Sequence, residues 1–192
     1  MPMIRETIVT TADAAGRVHM APLGIIVEGE GFVIAPFRPS TTLENLRAVP
    51  FAVANYADDV RIFAGCLTGR RDWPVAPSGE VPVPRLAASL AHAELAVTRV
   101  AEDVERPRFH CRVVARAVHA PFEGFNRAKA AVVEAAILAS RLDLLPRHKV
   151  EQEMAYLAIA VGKTAGPIEH EAWGWLMEKI RAHYADADGK PM

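Results

Sequence analysis

Three hydroxyl residues in a row, Ser40, Thr41 and Thr42, follow Arg38 and Pro39 and are followed in turn by Asn45. This order suits the capture of an anion. A helix that starts at Ser40 or Thr41 leaves its first backbone N–H groups without intrahelical partners, and the positive end of its dipole lies there. Arg38, just upstream, adds a planar guanidinium matched to phosphate oxygens. Local chemistry leaves a second reading open, in which Ser40 or Thr41 merely caps a helix and Arg38 is a solvated charge.

Other reactive side chains read more simply. His19 has the reference pKa of a general acid, but a single strand histidine is first a structural hydrogen-bonding group. Asp58-Asp59 reads as turn chemistry. Glu169-His170-Glu171, and His148 with Glu151, lack the paired Glu-x-x-His pattern of a di-metal bundle and are assigned to solvated helix faces. Arg70-Arg71-Asp72-Trp73 either covers a cofactor or grips an acidic substrate, or simply packs or faces water. Cys66 and Cys111 stand far apart without a Cys-x-x-Cys, so buried, reduced thiols are expected and a metal site is not. GxSxG, Walker and Rossmann fingerprints are missing, and Gly162-Lys163-Thr164 lacks the upstream glycine of a phosphate loop.

The elements that must position these residues change character along the chain. Glu6 to Thr11 is rich in β-branched residues and ends at a turn sequence, Ala12 to Gly16; Arg17 to Val27 is the return strand. Gly29-Glu30-Gly31 makes a second turn into a strand from Phe32 to Phe37, completing an antiparallel meander. Pro36 and Pro39 break the ladder before a short helix that runs to about Ala48 and stops at Pro50. Phe51 to Asn55 and Val60 to Leu67 are read as extended segments. Four prolines between Gly69 and Arg85 predict a long ordered loop or lid. Strands over Glu94 to Ala101 and Phe109 to His119 follow.

Beyond Pro121 the apolar period becomes helical. Val133, Ile137, Ser140 and Leu144 share one face, as do Val150, Met154, Leu157 and Val161, and then Trp173, Leu176, Met177, Ile180 and Tyr184. Three helices are predicted, separated at Pro146 and Gly166-Pro167. The tail from Asp186 to Met192 is small and polar and is expected to fray.

The 192 residues are 51% hydrophobic and 23% charged, the balance of a folded chain with one substantial core. A formal net charge of -1 and a pI near 6.7 offer no broad attraction for nucleic acid or an anionic membrane, so an anion must be bound locally. The start resembles no export signal and no apolar run is long enough to span a bilayer, which predicts a cytoplasmic location.

The order Ser40-x-Thr42, then Asn45-Leu46, then Phe51-x-Val53-x-Asn55 resembles the flavin reductase-like FMN-binding split barrels. Glu6 to Thr11, Gly16-x-x-His19-x-Ala21-Pro22-x-Gly24, Pro36-Phe37 and Asn55-x-x-Asp58-Asp59-Val60-x-Ile62-Phe63 are similar to an uncharacterised archaeal and bacterial family within that superfamily. The resemblance covers most of the chain. It implies a mainly β fold with added α structure: an antiparallel, Greek-key-like split barrel over 1–120 and a three-helix appendage over 121–192. It further implies FMN as cofactor, with NAD(P)H as a possible donor, and a homodimer with the flavin near the subunit interface. Carried over by residue, Arg38, Ser40, Thr41 and Thr42 meet the phosphate, and Asn45 bonds it or fixes the loop. His19, Met20, Ala21 and Gly24 run beside the flavin ring, Thr10 and Thr11 reach its polar edge, and Asn55 completes the set. The function implied is a flavin-dependent oxidoreductase of unspecified substrate; a non-catalytic FMN carrier or sensor, or a structural dimeric module, is the alternative.

Overall fold

The computed structural model describes residues 2–188. In chain order the elements are β1 (Ile4–Ala12), β2 (Val18–Glu28), β3 (Gly31–Ile34), α1 (Thr41–Ala48), β4 (Phe51–Tyr56), α2 (Val60–Leu67), β5 (Val75–Ala76), β6 (Arg85–Leu86), β7 (Ala91–Ala101), β8 (Arg108–Val118), α3 (Arg127–Ala139), α4 (Arg147–Thr164) and α5 (Pro167–Asp188). Residues up to Asp58 together with Asp72–Phe122 form one compact unit, and Asp59–Arg71 with the residues from Glu123 onward form a second.

The first unit is a closed antiparallel barrel in the order β1-β2-β3-β8-β7-β4, which bears out the expected fold. Turn chemistry sets the first hairpin: Asp13 Oδ1 accepts from Ala15 N and Arg17 N, each at 2.9 Å, and Gly16 takes a positive φ of 80°. Alternation then sends Val9, Ile25, Ile34, Ala54, Leu95 and Phe109 into one core. α1 adds Leu43 and Leu46 to that core, and burial of each contributes about 1.5–3 kcal/mol. Its N-cap is Ser40, whose Oγ accepts from Leu43 N at 3.3 Å.

The proline-rich segment is less irregular than its composition predicts. Val75 and Ala76 pair with Leu86 and Arg85 in a two-residue ladder, so Pro74–Leu86 forms a narrow strap. Val81 and Val83 seat it against Ala12 and Val53 on the outer side of the barrel wall. The strand predicted from Phe32 to Phe37 ends sooner, at Ile34, because Pro36 cannot donate to a ladder.

In the second unit, the segment Val60 to Leu67, read as extended, is the helix α2. Asp59 caps it by accepting from Arg61 N at 3.0 Å, and Val60, Ala64 and Leu67, at helical spacing, meet Val132, Ala136 and Leu176 from the tail helices. A short apolar run is compatible with either period, and here packing decides. The three predicted tail helices are present. The face predicted for the first is corrected, however: Ala128, Ala131, Val132, Ala135, Ala136 and Ala139 are buried, Ser140 is the C-cap, and Leu144 is exposed beyond the helix end. Alanines let α3 lie close to its neighbours, so the small residues define the buried stripe. Of the tail expected to fray, α5 continues through Asp188, and residues 189–192 lie outside the described residues.

Asp59→Ala should remove the α2 cap at a cost of about 1 kcal/mol. Hydrogen exchange should then accelerate in the amides of 60–67. Unaltered protection there would contradict the capped helix.

Candidate functional site

Two polar regions of the barrel unit contain the residues singled out by sequence. The first is the corner where the chain leaves β3 and enters α1. Arg38 N donates to Glu105 O at 2.8 Å, and Arg38 Nε donates to Asp103 O at 3.2 Å, which ties this exit to the turn between β7 and β8. Arg38 Nη2 lies 2.5 Å from Glu102 Oε2, and Arg47 Nη2, on the last turn of α1, lies 2.9 Å from both Glu102 oxygens. Two guanidinium groups therefore converge on one carboxylate that is itself largely exposed. Thr41 is exposed, Ser40 is half-buried, and Thr42 and Asn45 are buried. Neighbouring Asp103 is held below the usual carboxylate range by the amides of Arg106 and Glu105.

Asn45 turns inward: its Nδ2 donates to Thr11 Oγ1 at 3.1 Å. Thr11 is in register with His19 on β2, and Thr10 with Met20. Gly24 lies farther along the same strand, under Ile4 and Glu6, where a Cβ would stand 2.8 Å from Ile4 Cγ2 and 2.9 Å from Glu6 Oε1. A cavity of about 310 Å³ brings Gly24 together with Ala35 and the 103–108 turn that also holds Arg38. Asn45 is thus linked through Thr11 to His19, and Arg38 through the 103–108 turn to the cavity beside Gly24, five residues farther along β2.

Thr10 and Asn55 belong to the second region, the wall beneath the strap. Thr10 Oγ1 donates to Pro84 O at 2.7 Å. Asn55 Nδ2 donates to Ile8 O at 2.9 Å and Val53 O at 3.1 Å, while its Oδ1 accepts from Leu86 N at 2.8 Å. Both groups of the Asn55 amide are engaged. The third fastener is Glu94, whose carboxylate accepts from the backbone N–H groups of Gly79, Glu80 and Val81 at 2.8, 2.7 and 2.9 Å. Burial would raise its pKa, but these amides and His92 outweigh burial and hold Glu94 below the usual carboxylate range.

Glu94 and Glu102 were missed by sequence reasoning. Glu94 had a signal: His92 and Glu94 sit two apart on a strand that is otherwise apolar here, so both face one side and must find polar partners there. Glu102 had none, since a charged residue in a turn reads as solvated. The cysteines behave as expected; both are buried and free, and burial pushes Cys66 up to about 11 and Cys111 to about 12. Among the described residues no group of His, Cys, Asp or Glu side chains is placed to hold a metal, and no helix is long and apolar enough to cross a membrane.

A six-stranded antiparallel barrel with a capped helix inserted between β3 and β4 defines the fold class, a split barrel shared with other solved structures. Within that class the chain belongs to a protein family of unknown function, DUF447: the model of the family's N-terminal domain matches residues 5–120, and a second model of the family matches residues 126–178. It is similar in structure to the FMN-bound DUF447 protein MM1853 from Methanosarcina mazei, with a TM-score of 0.80 and 20% identity over 93% of this chain and 96% of that one. The 2-nitrobenzoate 2-nitroreductase NbaA from Pseudomonas fluorescens shares 22% identity over 62% of this chain and 66% of its own, with a TM-score of 0.52. An FMN-binding protein from Thermus thermophilus, solved with p-hydroxybenzaldehyde, gives a TM-score of 0.52 and 18% identity over 62% of this chain and 73% of that one. No curated protein matches the chain.

Replacing Glu94 with Ala should orphan three strap amides and cost roughly 2–4 kcal/mol in chemical denaturation. Because the folded pKa of Glu94 is lowered, its contribution is complete above the unfolded carboxylate value of 4.5 and is lost as pH falls below that toward the folded value. Protection factors for the amides of Gly79, Glu80 and Val81 should follow this course. Protection that is flat across the acid range would count against Glu94 as the fastener.

Proposed function

We propose that this chain binds FMN and acts, as a homodimer, as a flavin-dependent oxidoreductase. The observation that carries the proposal is the convergence of Arg38 and Arg47 on one exposed carboxylate beside the start of α1. A corner that already satisfies one anion, and can release it to solvent, suits a phosphate that offers more charge and more acceptors.

The residues present fit the phosphate end of FMN. Arg38 provides the charge, Ser40 and Thr41 line the helix start, and Thr42 stands one residue further in. Asn45 is assigned to the loop, because its amide holds Thr11. His19, Met20, Ala21 and Gly24 are assigned to the flavin ring along β2. Thr10 and Asn55 serve the site indirectly by fastening the strap over the barrel wall. Support for the cofactor comes from MM1853, which is described as FMN-bound.

Bound FMN supplies hydride or electron transfer, and the protein's share is to hold and orient it. Arg38 and Arg47 would neutralise the phosphate, α1 would present its first-turn amides, and β2 would offer the stretch from His19 to Gly24 to the ring. NAD(P)H is proposed as the reductant.

Arg38→Ala should weaken FMN binding about tenfold or more, the effect of losing a charge-assisted hydrogen bond. Glu102→Gln should strengthen it by releasing both guanidinium groups. Flavin fluorescence titration measures both, with circular dichroism as the check on folding. Equal affinity in wild type and Arg38→Ala would remove the phosphate from this corner. Anaerobic NADH or NADPH should bleach the flavin of loaded protein; a spectrum that stays oxidised with both would favour a carrier.

A further inference from the structure

Beneath the strap, the anchored carboxylate of Glu94 begins a file of titratable groups that leads to the surface. His92 Nε2 lies 3.2 Å from Glu94 Oε1, and His92 Nδ1 lies 2.8 Å from His119 Nε2. The two imidazole planes are within 2° of parallel, with centres 5.0 Å apart. A nitrogen contact that short between rings whose centres are that far apart is an edge-to-edge, in-plane hydrogen bond. Glu94 and His92 are buried, at 2% and 4% exposure, whereas His119 is exposed.

Hydrogen positions follow from the partners. Ionised Glu94 only accepts, so His92 carries its hydrogen on Nε2. Neutral His92 then accepts at Nδ1, and His119 must donate from Nε2. In neutral His119 this leaves the lone pair on Nδ1, at the file's one exposed member. Partial burial, with Arg85 and His92 nearby, keeps His119 below its usual pKa, so the base form prevails at neutral pH.

Among the described residues, the strap brings Arg85 close enough to act on His119, and Glu80 lies beside Glu94 through its amide. β4 sets Asn55 and Val53 beside His92 and Glu94, and β8 sets Ala117 and Ala115 there. The strap contributes Arg85, whose guanidinium donates to Leu86 O at 3.2 Å and Ala87 O at 3.3 Å. A cation next to a neutral imidazole disfavours a second positive charge and favours an anion.

We propose that Glu94, His92 and His119 form a proton relay, in which His119 exchanges a proton with a small oxygen or nitrogen acid bound beside Arg85. The X–H bond of the acid breaks, its electron pair stays on X, and a new N–H bond forms at His119 Nδ1. The Nε2 proton of His119 can pass to His92 Nδ1, which leaves an imidazolium against the Glu94 carboxylate. The anion X⁻ remains near the guanidinium. The reverse sequence protonates an anion, and no electrons change hands in either direction. The proposal is independent of flavin binding, since its residues are separate from the α1 corner.

Long-range proton–nitrogen NMR on the full chain with labelled histidine tests the relay directly. The expected result is an unprotonated Nδ1 on His119 at neutral pH and one protonation step sensed by both rings. A protonated Nδ1 on His119, or two rings that titrate independently, would overturn it. Carbethoxylation of His119 by diethyl pyrocarbonate should exceed that of exposed His148 and His170 by about threefold or more, and His92→Gln, which bonds but cannot carry the charge, should abolish the excess. Equal rates at the three histidines would refute an activated base. With para-nitrophenol as the probe acid at fixed pH near its own pKa, wild type should bind the phenolate and raise its absorbance saturably, and Arg85→Gln should not; no rise in wild type would overturn the assigned substrate class. Should a variant fail to fold, the wild-type NMR and labelling results still decide.

Discussion

The outer wall of the barrel depends on solving one problem, the docking of a proline-rich strap that has little ladder of its own. Its wall-facing N–H and C=O groups are covered where Val81 and Val83 pack against Val53 and Ala12, and each one left unpaired there costs as much as a lost hydrogen bond. Glu94 serves three of the amides, Asn55 serves Leu86, and Thr10 serves the carbonyl of Pro84. These polar side chains all project from the outer faces of neighbouring strands, opposite the apolar residues of the core. The strap and the wall are thereby joined through hydrogen bonds in specified positions, which fixes the strap's register as apolar packing alone would not.

Anchoring a charge for this purpose has a chemical result. A carboxylate kept ionised at neutral pH by backbone amides only accepts, and the histidine next to it must donate to it. The same bond sets the tautomer of His92 and, through it, that of His119. Structure and reactivity here are two consequences of one buried anion. At the α1 corner the arrangement is reversed: cationic Arg38 and Arg47 meet a carboxylate that stays accessible, so solvent and other anions compete for the same guanidinium groups.

Much of the barrel was legible because its strands alternate and its turns use the residues that turns require. Asp13 and Gly16 make the first hairpin, and Ser40 caps α1 where the hydroxyl run placed a cap. The tail helices followed from their period, with Val150, Met154 and Val161 buried as expected. Val60 to Leu67 was misread because eight mostly apolar residues fit a strand or a helix equally well, and the choice rested on partners from Val132 to Leu176, remote in sequence. α3 was misread by weighting bulky residues over alanines. At the site, the hydroxyl run and Arg38 were visible, whereas the destinations of Asn45 and Asn55 were not: an asparagine side chain offers the same donor and acceptor to a ligand, a loop or a neighbouring strand.

By itself the sequence determined the antiparallel strands, the three tail helices and the polar helix start, since these follow from periodicity, turn residues and capping, all of which act over a few neighbouring positions; closure of the strands into a barrel was implied only by the family resemblance. Tertiary structure alone decided that Glu102 bridges Arg38 and Arg47, that Asn55 and Thr10 fasten the strap, and that Glu94, His92 and His119 fall into one file. Apart from His92 and Glu94, those pairings join residues far apart in the chain. They depend on how distant segments are brought together, and for Thr10, Asn55, His92 and Glu94 a change of one residue in strand register would send the side chain to the opposite face.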